Sequence, residues 1–136
     1  MITTSESIVL LVYISIIIDG KINDSELKNL KLRILSYPIF KKLSDQRFDE
    51  LRAYLMEKWK SSSQDEVSDH IINLIPNNYY KTAFCFVLEV IAGDLEINES
   101  EKKFVDLIAK KMDINEETKK SLMDSVYYRY IPGPLV

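Results

Sequence analysis

The octet Asp19-Gly20-Lys21-Ile22-Asn23-Asp24-Ser25-Glu26 recurs 75 residues later as Asp94-Leu95-Glu96-Ile97-Asn98-Glu99-Ser100-Glu101. Asp, Ile, Asn, Ser and Glu match identically, and an acidic residue fills the sixth place of both copies, Asp24 in one and Glu99 in the other. An apolar stretch leads into each copy and an amphipathic one follows, the pattern of one supersecondary unit used twice. The residue types spell a helix start. Asn23 and Asn98 suit the N-cap, and Glu26 and Glu101, three places on, suit the reciprocal half of a capping box. Asp24 and Glu99 put negative charge at the positive end of the helix dipole. Ile22 and Ile97, just before the cap, suit a hydrophobic staple, and Gly20 supplies a turn conformation that other residues dislike. The prediction is two helix hairpins, related by a pseudo-twofold, that bury their apolar leading helices together.

Working outward, the rest of the chain reads as further helices, about seven in all. The first is expected over residues 5–18, where Ile8-Val9-Leu10-Leu11-Val12-Tyr13-Ile14-Ser15-Ile16-Ile17-Ile18 is longer than the usual strand of 4–8 residues and follows a Ser/Glu start. The second follows Asn23, carries Leu27, Leu30, Ile34 and Leu35, and stops at Tyr37-Pro38, because the residue before proline is pushed out of the helical region. A third, over 45–60, takes Ser44 as N-cap and lines up Phe48, Leu51, Leu55 and Trp59 in one apolar stripe. Ser63-Gln64-Asp65-Glu66 reads as a capping box opening a short fourth helix through Ile71, Ile72 and Ile75, which Pro76-Asn77-Asn78 ends. The last three are expected over 79–92, 99–112 and 116–128, before Pro132-Gly133-Pro134 ends regular structure.

Composition agrees with this. The 136 residues fit one domain, 1–136, with repeat motifs at 19–26 and 94–101 and a tail at 130–136. With 46% hydrophobic and 29% charged residues the chain has ordinary globular composition. Three Gly and four Pro are too few for a many-stranded barrel or sandwich, which needs a turn about every 8–12 residues. The fold class is therefore all-α, a compact bundle.

Charge and cysteine limit the function classes. A net charge of −3 and a pI near 5.2 lack the basic footprint of phosphate-backbone binding, so no nucleic-acid partner is expected. The single cysteine, Cys85, has no intrachain partner and lies within Ala83-Phe84-Cys85-Phe86-Val87-Leu88, where a small buried hydrophobe is expected and a reducing, cytoplasmic location fits. No Lys or Arg precedes the apolar run at 8–18, and no small-residue cleavage site follows it, so it is not read as a signal peptide. It also falls short of the roughly 20 residues of a membrane span.

The repeated units carry a family resemblance. An apolar helix ending in an Asp-Gly pair, followed by an isoleucine, a cap and a glutamate, and repeated once in a chain of this size, resembles the TerB family of tellurite-resistance-associated proteins. The second half matches best, from Phe86-Val87-Leu88-Glu89-Val90-Ile91-Ala92-Gly93-Asp94 through Ile108-Ala109-Lys110-Lys111-Met112-Asp113-Ile114. The resemblance covers nearly the whole chain. It implies a compact all-helical bundle of about seven helices without established enzymatic activity, linked to bacterial tellurite resistance and wider chemical-stress responses. It further implies surface acidic residues that contact metal ions or partner proteins, some at the inner face of the cytoplasmic membrane.

The octet also spells the last eight positions of an EF-hand loop, but calcium draws its first ligands from loop positions 1 and 3. Those places hold Ser15 and Ile17 in the first copy and Val90 and Ala92 in the second, so no EF-hand is expected. What the residue types leave open is a weak divalent-cation site using Asp19 and Glu26, or Asp94, Glu96 and Glu101. No other cofactor is expected. Between Glu89 and Glu101 five acidic residues stand without a Lys or Arg, an ordinary solvated face or an attractor of cations and basic partner surfaces.

Catalytic constellations are missing from the sequence, and no enzyme is expected. The sole histidine, His70, has no second histidine or cysteine cluster to build a zinc site, and reads as exposed helix decoration. A Cys85–His70 nucleophilic pair is conceivable, although apolar neighbours raise a thiol pKa. No glycine-rich phosphate loop occurs. Trp59 reads as core. Tyr127, Tyr128 and Tyr130, before Ile131-Pro132-Gly133-Pro134-Leu135-Val136, read as packing on the bundle, or else as a dock for another chain.

Overall fold

In the computed structural model, residues 1–18, 28, 31, 32, 36–92 and 99–129 are described. Six α-helices and no strands occur among them: α1 (Thr4–Ile17), α2 (Asp45–Ser61), α3 (Gln64–Asn73), α4 (Tyr80–Ala92), α5 (Glu99–Lys111) and α6 (Glu116–Arg129). Short 3-10 turns at Pro38–Phe40 and Asn77–Tyr79 lead towards α2 and into α4. All-α is thus the observed class. The expected helix after Asn23 lies mostly outside the described residues, of which Lys28, Lys31 and Leu32 are helical.

α1 decides the architecture. Its start is closed by a capping box, in which Thr3 Oγ1 accepts from the Glu6 N–H at 3.2 Å and Glu6 Oε1 accepts from the Thr3 N–H at 2.9 Å. Every residue from Glu6 to Ser15 is buried, so the helix has no wet face, as a helix apolar all round must. The Ser7 and Ser15 hydroxyls inside this stretch donate to the carbonyls of Thr4 and Val12, which satisfies them within the helix itself. The β-branched residues of this run fit a helix because neighbours cover every side: α4 most extensively, then α3 and α2.

The surrounding helices each contribute a stripe to one core. α2 adds Phe48, Leu51 and Leu55; α3 adds Val67, Ile71 and Ile72; α4 adds Ala83, Phe84, Val87, Leu88 and Ile91; α5 adds Phe104, Val105, Ile108 and Ala109. Tyr13 of α1 meets Phe48 edge-on, ring centroids 6.3 Å apart, and burial pushes its phenol up to about 12. Trp59 continues the α2 stripe but is only partly buried, because it sits one turn beyond Leu55 at the margin of the core. Ser44 caps α2 as expected, accepting from the Arg47 N–H. Ser63 caps α3 by accepting from the Glu66 N–H, but the reciprocal half of the box is replaced: the Ser63 hydroxyl donates to the Glu66 carboxylate. Ser68, fully buried on α3, is the one hydroxyl among the described residues that is buried without a hydrogen-bond partner.

α5 ends in a Schellman motif. The Ile114 N–H donates to the Ala109 carbonyl at 2.8 Å and the Asp113 N–H to the Lys110 carbonyl at 3.2 Å, with Asp113 at φ 60°. Asn115 then caps α6, accepting from the Thr118 N–H at 2.7 Å. The left-handed position favours glycine. Asp113→Gly is therefore expected to stabilise the protein by about 0.5–1 kcal/mol, seen as a rise of a few degrees in thermal midpoint.

Candidate functional site

The predicted cation ligands Asp19, Glu26, Asp94 and Glu96 lie outside the described residues. Glu101, the fifth, stands in the first turn of α5 and is 8% exposed. Among the described residues no three His, Cys, Asp or Glu side chains gather as a metal-holding group.

What the described residues do show is a set of ion pairs and hydrogen bonds that join one helix to another. Glu6 on α1 meets Arg47 on α2, with Arg47 Nε donating to one carboxylate oxygen and Nη2 to the other at 3.2 Å, a two-pronged contact suited to a guanidinium. Arg47 also reaches Glu50 at 2.8 Å. This contact holds the Glu6 carboxyl below its ordinary value, chiefly through the Arg47 hydrogen bond and against the opposing effect of burial. Beside it lies a groove of about 460 Å³ lined by Thr3, Glu6, Ile39, Lys41, Lys42 and Arg47 among others. Its volume is that of a ligand pocket, but it is open to solvent. Glu6 stays ionised and Arg47 is already engaged, so neither is set up to trade protons.

A second junction centres on Glu89 of α4. It accepts from the Tyr37 hydroxyl, and Arg129 at the end of α6 donates to it at 2.7 Å. The Tyr37 ring stands edge-on to Phe86 with centroids 4.9 Å apart. Glu89 is thus no member of a free acidic face; it ties the segment before Pro38 and the last helix to α4. Its partners are 52 and 40 residues away, and no local pattern in the sequence signals them.

His70 departs from its expected role. It is half-buried, and its Nε2 shares a hydrogen bond with the Tyr54 hydroxyl at 2.7 Å, which links α3 to α2. Tyr54 stands in the α2 sequence with no local sign that its hydroxyl has a partner on the next helix. Cys85 is half-buried rather than fully buried, and burial pushes its thiol up. No hydrogen bond joins Cys85 to His70, so the conceivable nucleophile–base pair is not assembled. Tyr127 and Tyr128 are 50% and 69% exposed, and their rings meet edge-on with centroids 6.0 Å apart. Tyr130 lies outside the described residues. No described helix is long and apolar enough to cross a membrane.

The chain matches no family model, no curated protein and no solved structure.

Proposed function

We propose that the chain is a noncatalytic helical interaction module of the TerB kind, serving a bacterial stress or tellurite response through contacts with a protein partner. The observation that supports it most is the pairing of α1 with α4. These are the apolar helices that lead into the two octets, and their mutual contact is the most extensive between any two helices described. The repeat is in this reading a device for building a core, and the exposed tyrosines of α6, Tyr127 and Tyr128, are the surface available to a partner. Nucleophilic and acid–base groups have the opposite character: Glu6, Glu89 and His70 are each engaged in holding helices together. In this reading the chain is cytoplasmic and meets its protein partner at the inner face of the cytoplasmic membrane, as the resemblance implies.

Affinity capture from bacteria grown with and without tellurite tests this, with reciprocal capture by the retained protein. The reading expects one partner in near-stoichiometric yield. A monodisperse chain that retains nothing under either condition contradicts it.

A further inference from the structure

Of the six described helices, α6 is the least embedded. Val126 is its one buried residue, flanked by the partly buried Leu122 and Met123. Along this narrow stripe the helix rests on α4, its main packing partner among the described helices. At each end of the stripe stands an ion pair to the bundle: Lys119 to Asp106 of α5 at 2.7 Å, and Arg129 to Glu89 of α4 at 2.7 Å. Asp106 and Arg129 are both more than half exposed, so these contacts are open to screening by salt. One turn before Glu89 on α4 lies Cys85, whose thiol senses the charges of both Arg129 and Glu89. The Arg129–Glu89 contact thus holds the end of α6 against α4 one turn from Cys85.

We infer that α6 opens from the bundle as a unit while the core stays folded, with Arg129–Glu89 as its latch, and that opening uncovers the Cys85 side of α4. A helix with one buried side chain and exposed end contacts belongs to the low-stability end of a protein's local openings. Cys85 is the natural reporter, since its thiol is half-buried and its reactivity rises with the exposure that opening adds.

The test is the rate at which a soluble thiol reagent labels Cys85 in the full chain at fixed pH. Wild type, Arg129→Ala and the control Lys111→Ala, which breaks the Lys111–Asp69 contact between α5 and α3, are compared. Arg129→Ala is expected to label about two- to fivefold faster, the span of opening constants that an exposed ion pair accounts for. Loss of the nearby cation alone acts in the other direction, because Arg129 lowers the thiol pKa, so acceleration reports opening and not electrostatics. Wild-type labelling should also speed up with added KCl, and should depend on urea with a far shallower slope than global unfolding. Lys111→Ala should label at the wild-type rate. Labelling of Arg129→Ala at or below the wild-type rate overturns the inference, as does equal acceleration in Lys111→Ala or a urea slope equal to that of global unfolding.

Discussion

Alanine at Leu10 or at Leu11 is expected to cost about 2–5 kcal/mol of stability each, although the two are neighbours on the same helix. On an amphipathic helix, truncation costs rise and fall with the 3.6-residue period, because only one stripe meets the core. α1 has no such stripe: Ile8, Val9, Leu10, Leu11, Val12 and Ile14 are all fully buried and Tyr13 nearly so. Each truncation leaves a cavity that α4, α3 or α2 lines, and the cost follows the volume removed, not the helical face. Urea unfolding of single variants along 8–14, read as midpoint shifts at constant slope, measures this. Losses confined to every third or fourth position would show that one side of α1 is wet.

The second large effect concerns Glu6. Its carboxylate satisfies the Thr3 N–H, completes the cap of α1 and receives two donors from Arg47, all at a residue 8% exposed. Glu6→Ala is expected to lower stability by about 1–3 kcal/mol at neutral pH, the range for removing one partner of a buried hydrogen-bonded group. The pH dependence has a fixed sign. The folded-state pKa lies below the ordinary 4.5, so the stabilisation is complete above that value and fades as pH falls through the lower folded value. Thermal melts of wild type and Glu6→Gln should therefore differ most near neutrality and converge on acidification. Parallel profiles down to strongly acidic pH would show that the carboxylate contributes nothing.

Much of the fold is legible in the sequence because its signals are local. The length of the apolar run at 8–18, the Ser44 and Ser63 caps, the Phe48–Leu51–Leu55 stripe and the stop at Pro76 each depend on residues within one or two turns. The six described helices then fall within a residue or two of their expected bounds. The box at Ser63 is the exception at this scale, because the Glu66 carboxylate takes the serine's own proton in place of the backbone N–H. What the sequence leaves hidden is non-local. Arg47 reaches Glu6 across 41 residues and Arg129 reaches Glu89 across 40, and nothing near any of these four distinguishes it from other surface charges. The role of His70 is hidden for the same reason, since a polar face at helical spacing says nothing of a tyrosine on the adjacent helix. The candidate cation ligands are legible only as a repeated motif, and of the five only Glu101 falls among the described residues.

In the proposed function neither acidic octet needs a divalent cation. Titration of metal-stripped protein with Ca²⁺, Mg²⁺ and, separately, Zn²⁺, by calorimetry alongside thermal melting, tests it most directly. The account predicts no saturable heat and no change in melting temperature at millimolar ion. A saturable stabilisation, about 2.7 kcal/mol at a hundredfold excess over the dissociation constant, that disappears in the Asp19→Asn/Asp94→Asn double variant would contradict it.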